Sequence, residues 1–102
     1  MYNSIKNGNT NMEETTLDEE ISIKVSNNHI YFYSEVSIIS ILELTDTINK
    51  ITNEIVLLNI KFKTDIEIYL HINSGGGDVF AVLSIINLIE TNTININTII
   101  EG

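Results

Sequence analysis

The sequence predicts a layered α/β fold with the element order β-β-α-β-α-β. Three observations carry this prediction: apolar alternation from Ile66 to Ile72, three consecutive glycines at 75–77, and two stretches with helical apolar spacing. A strand followed by a glycine turn and a helix is half of a βαβ unit, whose strands pair in parallel. With 102 residues, 43% of them hydrophobic, the chain has room for one domain at most.

The first twenty residues differ in character from the rest. Residues 1–20 are acidic and rich in Asn, with few large apolar side chains, which predicts a disordered tail before a domain at 21–102. Ile21–Val25 alternates strictly, and His29–Tyr33 is β-branched and aromatic, so both stretches are expected to be strands. Asn27-Asn28 supplies a turn between them. The two strands form a hairpin, or the second enters the main sheet alone.

A helix follows the second strand. Its stripe of apolar residues at steps of three and four consists of Ile41, Leu44, Ile48, Ile51, Ile55 and Leu58. Ser37 or Ser40 is the expected N-cap, and Glu43 stands three residues after Ser40, as a capping box requires. The helix is expected to end between 59 and 63.

The second half of the chain repeats the alternation of strand and helix. Residues 66–73 predict a strand with one apolar face, and residues 79–89 predict a helix with Asp78 near its N-terminus. Residues 93–100 predict the last strand.

Composition excludes several functions. The formal net charge of -9 disfavours nucleic acid as a partner, because phosphates would be repelled. The absence of cysteine excludes disulfides and thiolate metal sites, and we expect neither a cofactor nor a metal. No apolar run approaches the roughly 20 residues that span a bilayer, so we expect no membrane association.

The glycine turn is the main candidate site. Glycines permit positive φ and leave backbone N–H groups open, and beside a helix N-terminus such groups suit an anion or a developing oxyanion. A phosphate-binding P-loop would need Lys-Ser/Thr after Gly77, where Asp78-Val79 stands. A dinucleotide fingerprint would need a further glycine near Ala81. An oxyanion-type turn therefore remains, beside the simpler interpretation of a tight connection.

With its flanks, the turn resembles a known family. Ile68 to Ile86 (IYLHINSGGGDVFAVLSII) resembles the segment of Clp-type serine peptidases in which a strand ends in Ile-Asn-Ser-Pro/Gly-Gly-Gly and opens an apolar helix. The likeness covers approximately His29 to Gly102, and Gly75 in place of proline favours the viral or phage-like branch. The resemblance implies a ClpP/crotonase-like α/β fold, here incomplete, and a homo-oligomeric ring around a chamber. It also implies a polypeptide substrate, an ATP-dependent unfoldase partner and a cytoplasmic location, in the host if the source is viral.

The same resemblance assigns the site residues. It implies that Gly77 supplies an oxyanion-hole N–H and that Gly76 shapes the turn, while the family's serine, histidine and aspartate are expected beyond Gly102. His71 and Ser74 have odd spacing on a strand, so their side chains lie on opposite faces and cannot pair. His29 has no acidic or nucleophilic partner in its pattern.

Three functional hypotheses follow. The chain is the N-terminal portion of a Clp-like proteolytic subunit, truncated before the nucleophile and inactive alone. Alternatively, it is a catalytically inactive subunit for ring assembly or regulation. The third hypothesis is another crotonase-fold enzyme acting on an acyl-coenzyme A, which the Asn-Ser-Gly-Gly-Gly flank disfavours.

Overall fold

The computed structural model of the chain describes residues 21–101. The predicted tail at 1–20 and Gly102 lie outside the described residues. The elements are β1 (Ile23–Ser26), β2 (His29–Phe32), α1 (Ile38–Phe62), β3 (Ile68–Ile72), α2 (Val79–Thr91) and β4 (Ile96–Ile100). This is the predicted order, and the predicted α/β fold is confirmed with four strands and two helices.

The four strands form one sheet in the order β1-β2-β3-β4. β1 and β2 pair antiparallel around a turn in which Asn27 has a φ of 56°. β2 pairs with β3 and β3 pairs with β4 in parallel, with Ile30 opposite Leu70 and Leu70 opposite Thr98. The hairpin therefore forms, and its second strand also joins the main sheet. Parallel pairing places the carboxyl ends of β2, β3 and β4 at one edge.

All four strands are shorter than predicted, and ahead of β3 and β4 the side chains of Asn59 and Asn92 bond to backbone groups. Asn59 Oδ1 accepts from Ile66 N at 2.9 Å, and Asn59 Nδ2 donates to Ile66 O at 3.2 Å, so β3 begins only at Ile68. Asn92 Nδ2 likewise donates to Ile94 O at 2.9 Å, ahead of β4.

The N-cap of α1 is Ser37, and its capping box is formed with Ser40. The predicted capping box of Ser40 with Glu43 is not formed, so this prediction is wrong. Ser40 is fully buried in the first turn, and its hydroxyl donates to Glu35 O at 2.8 Å. At the other end Lys63 adopts a left-handed φ of 53° and its N–H donates to Asn59 O, within the predicted range.

One face of the sheet and both helices form a single apolar core. The fully buried apolar side chains come from β2, α1 and β3: Ile30, Phe32, Leu44, Ile48, Ile68 and Leu70. Ala81 and Ile85 add the buried side of α2. The other sheet face carries histidines and tyrosines. No helix within residues 21–101 combines the length and apolarity needed to cross a membrane.

Candidate functional site

The glycine turn is tied to the segment that follows β2. Val36 N donates to Gly76 O at 3.0 Å, and Asp78 N donates to Val36 O at 2.9 Å. Together these bonds make an isolated parallel bridge between Val36 and Gly77. The turn is thus held by regular sheet-type hydrogen bonds beyond the ends of β2 and β3, which fixes its position relative to the core.

Only one of the three glycines is required by close contact. A Cβ on Gly77 would lie 2.7 Å from Val36 Cβ and would overlap Val36 O, and the φ of Gly77 is 152°. Gly76 has a φ of 136°, but nothing lies within 4 Å of an added Cβ. Gly75 has the same open surroundings without the positive φ. The backbone approach of Val36 therefore explains why position 77 excludes side chains.

The N–H of Gly77 faces away from the Val36 segment. In the parallel bridge Val36 bonds to the residues on either side of Gly77, so the N–H of Gly77 itself projects away from Val36. Within residues 21–101 it has no hydrogen-bond acceptor. The N-terminus of α2 starts two residues later, where Asp78 caps it by accepting from Phe80 N at 2.8 Å. An open amide beside a helix N-terminus can bind an anion or a developing oxyanion.

A mostly apolar cleft of about 400 Å³ lies between the N-terminal ends of α1 and α2, next to the turn. Its lining consists of Ile38, Ile41, Leu42, Asp78, Phe80, Ala81 and Ser84. Sequence reasoning missed this cleft, because it arises from the packing of two helices that lie far apart in the chain. Asp78 both lines the cleft and directly follows the glycine turn, so a group bound at the turn would lie beside apolar surface.

Ser74 and His71 do not pair, in agreement with the strand-face argument. The hydroxyl of Ser74 donates to Gly76 O at 3.0 Å, so this serine braces the turn. The imidazole of His71 bonds instead to Glu101 and His29. Among residues 21–101 no serine hydroxyl is hydrogen-bonded to a histidine. The described residues therefore contain no hydrogen-bonded serine–histidine pair of the kind that a serine peptidase uses.

His29 has a partner that sequence reasoning missed. Its Nδ1 lies 2.9 Å from His71 Nε2, and its ring stacks on Tyr69 at 5.0 Å between centroids. His71 Nδ1 lies 2.8 Å from Glu101 Oε2, and the hydroxyl of Tyr33 donates to Glu101 Oε1 at 2.8 Å. The contact between the two histidines could have been found from the similarity of residues 29–33 (HIYFY) and 68–72 (IYLHI), which parallel pairing places side by side.

These contacts change the ionisation of two groups. The hydrogen bond from Tyr33 and then the one from His71 lower the pKa of Glu101, because both bonds favour the carboxylate. The same bond to Glu101 raises the pKa of Tyr33. No group of three His, Cys, Asp or Glu side chains in the described part of the chain could hold a metal ion.

Comparison with known proteins identifies the family. No curated protein matches the chain. The family model described as Clp protease matches residues 18–102, which include every element of the sheet and the glycine turn. Proteins of this family are generally oligomeric. The chain belongs to the Clp protease family.

Proposed function

We propose that the chain acts in a Clp-type serine endopeptidase, with the N–H of Gly77 as an oxyanion donor in peptide-bond hydrolysis. The observation that carries the proposal is the open N–H of Gly77, held at the carboxyl end of β3 beside the N-terminus of α2. Membership of the Clp protease family supplies the reaction class. Gly76, with its φ of 136°, would set the direction of this N–H.

The chemistry fits the position of the amide. When a serine attacks a peptide carbonyl, the oxygen becomes an anion that N–H donors at about 2.7–3.1 Å stabilise. The bridge to Val36 holds Gly77 before substrate arrives, so no reorganisation is needed at the transition state. The N-terminal pole of α2 adds a partial positive charge. The serine, histidine and aspartate would have to come from outside residues 21–101, because these residues contain no such arrangement.

The proposed partners follow from the family. We propose a homo-oligomeric ring with a polypeptide substrate, an ATP-dependent unfoldase as partner and a cytoplasmic setting, in a host cell if the source is viral. Support for assembly comes from large apolar side chains exposed on α2, namely Val79, Phe80, Leu83 and Ile86. The proposed viral or phage-like branch rests on Gly75. An added Cβ there meets nothing within 4 Å, so this structure does not require glycine at that position.

A subunit for ring assembly without hydrolysis is the second candidate. It is favoured by the combination of exposed apolar helix faces with the absence, within residues 21–101, of a serine–histidine pair. The two candidates differ in whether a reactive serine accompanies Gly77. A fluorophosphonate probe separates them, because it labels only an activated serine.

The first experiment labels the 102-residue chain and the product of its full reading frame in parallel. We expect no labelling of the 102 residues and labelling of a longer product that carries a serine nucleophile. A product of the reading frame that assembles into oligomers but is not labelled would support the hypothesis of an assembly subunit. Labelling of the 102-residue chain would contradict the absence of a serine–histidine pair.

The second experiment deletes the donor itself. An amide-to-ester substitution at Gly77 removes the N–H without adding a side chain. It is introduced by ligation into unmodified protein of the form that the probe labels. Loss of one oxyanion donor is expected to lower kcat by about 10²–10³-fold. The same substitution at Gly75 is the control, since that N–H is not proposed as a donor. Equal kcat values for the two esters would refute the role of Gly77.

A further inference from the structure

The peptide unit that joins Gly76 to Gly77 is held by two hydrogen bonds to its carbonyl oxygen. Gly76 O accepts from the Ser74 hydroxyl at 3.0 Å and from Val36 N at 3.0 Å. A trans peptide is planar, and its C=O and N–H point in opposite directions. The N–H of Gly77 belongs to this same peptide, so the two bonds to Gly76 O also set the direction of that N–H.

Ser74 holds both backbone polar groups of Gly76 with one oxygen atom. Its hydroxyl donates to Gly76 O at 3.0 Å, and the same Oγ accepts from Gly76 N at 3.3 Å. A hydroxyl has one donor and two acceptor positions, so the two bonds are compatible. Together they join the N–H and the C=O of a residue whose φ is 136°, and they therefore stabilise this glycine conformation.

The orientation of this peptide needs support because both of its residues are glycines. Rotation of the peptide plane changes ψ of Gly76 and φ of Gly77, and glycine permits both angles over a wide range. In the reversed orientation Gly76 O would point where the N–H of Gly77 points now. A carbonyl oxygen only accepts hydrogen bonds, so the reversed peptide would repel an oxyanion.

We propose that Ser74 is a positioning residue, which keeps the Gly76–Gly77 peptide in the orientation that presents its N–H as the donor. Ser74 acts through Gly76 O and is not itself the nucleophile. Its hydrogen bond to the carbonyl also polarises the peptide, which strengthens the N–H of Gly77 as a donor. The proposal rests on the proposed role of Gly77 as an oxyanion donor and names the side chain that orients it.

Amide hydrogen exchange of the 102-residue chain, followed by NMR, tests the orientation without any hydrolysis. Reversal of the peptide breaks the bond from Val36 N to Gly76 O but spares the bond from Asp78 N to Val36 O. Loss of one neutral hydrogen bond should raise the population of the reversed peptide by about 2- to 13-fold. Ser74→Ala should therefore lower the protection factor of the Val36 amide by this factor and leave that of the Asp78 amide unchanged.

Two further variants complete the exchange experiment. Ser74→Thr keeps the hydroxyl and should retain the protection of the Val36 amide. Ser84→Ala removes a serine hydroxyl that donates to Phe80 O at 3.2 Å within α2, and it should change neither amide. Equal losses at Val36 and Asp78 in Ser74→Ala would overturn the proposal, because the serine would then support the whole turn and not one peptide. Unchanged protection of the Val36 amide in Ser74→Ala would overturn it as well.

Kinetics of the full reading frame's product test the consequence for hydrolysis. Ser74→Ala should lower kcat by up to about 13-fold and leave KM unchanged, because the oxyanion forms only in the transition state. Ser74→Thr should restore kcat. A kcat of Ser74→Ala equal to that of the unsubstituted protein would overturn the positioning role. A product that the fluorophosphonate probe does not label would instead refute the proposed function, and the comparison of the Val36 and Asp78 amides would still decide whether Ser74 orients the peptide.

Discussion

Replacement of Gly77 by alanine is the most direct test of the turn. The substitution adds one methyl group, yet that group would lie 2.7 Å from Val36 Cβ and would overlap Val36 O. The contact cannot be relieved by a rotamer change, because both the bridge carbonyl and the turn are backbone. Either the Val36–Gly77 bridge opens or the segment before α1 moves.

The magnitude follows from two separate terms. A non-glycine residue at a φ of 152° costs about 1–3 kcal/mol in backbone strain. Overlap with a packed neighbour costs about 1–3 kcal/mol more. The sum of about 2–6 kcal/mol is a large part of the roughly 5–15 kcal/mol that stabilises a typical domain.

The neighbouring glycines separate the two terms. Gly76→Ala introduces strain at a φ of 136° but no overlap, so we expect a loss of about 1–3 kcal/mol. Gly75→Ala introduces neither and should change stability by less than about 0.5 kcal/mol.

Urea unfolding followed by circular dichroism, at one protein concentration for all variants, measures the differences. Association adds to apparent stability, so concentration must not vary. The expected order of stability is Gly75→Ala, then Gly76→Ala, then Gly77→Ala. A Gly77→Ala chain as stable as Gly75→Ala would refute the close approach of Val36.

Three further perturbations address other parts of the molecule. Ser37→Ala should lower the free energy of unfolding in urea by about 1 kcal/mol through loss of the N-cap, whereas Ser84→Ala, on the exposed side of α2, should change it by less than about 0.5 kcal/mol. The hydrogen bond from Asn97 lowers the pKa of Glu67, so the ionised Glu67 stabilises the folded chain above the ordinary value of 4.5, and this stabilisation is lost as pH falls through the lowered value. The free energy of unfolding of Glu67→Gln should therefore depend less on pH in the acid range. An acid profile equal to that of the unsubstituted chain would contradict this. Phe80 is 79% exposed, so Phe80→Glu should reduce self-association in light scattering while leaving the urea midpoint of dilute protein unchanged.

Sequence reasoning succeeded where a pattern depends on neighbours along the chain. Period-two alternation located β3, and steps of three and four located α1, because these periods follow directly from backbone geometry. The absence of a bond between His71 and Ser74 followed from the same rule. The glycine turn was also located, although the need for glycine at position 77 in particular depends on Val36, which lies far away in sequence.

Sequence reasoning failed where a side chain of one segment bonds to a distant segment of the chain. Asn59 was placed at the end of α1, but nothing local shows that its amide would bond to both backbone groups of Ile66. His29 and His71 each looked isolated, because their contact requires the register of β2 against β3. Strand register depends on the whole core, and a single sequence without relatives carries little information about it.

The carboxyl end of β3 is supported from both sides immediately before the turn. On one side Asn73 N donates to Phe32 O at 3.0 Å, and on the other Glu101 N donates to Ile72 O at 2.8 Å. The Val36 bridge continues the first support as far as Gly77, whereas Glu101, whose carboxylate lies 2.8 Å from His71 Nδ1, belongs only to the second. In amide hydrogen exchange, Gly77→Ala should therefore lower the protection of the Val36 and Asp78 amides, which form the bridge, and leave the protection of the Glu101 amide unchanged. A loss of protection at the Glu101 amide in Gly77→Ala would show instead that the two edges of β3 act as one unit.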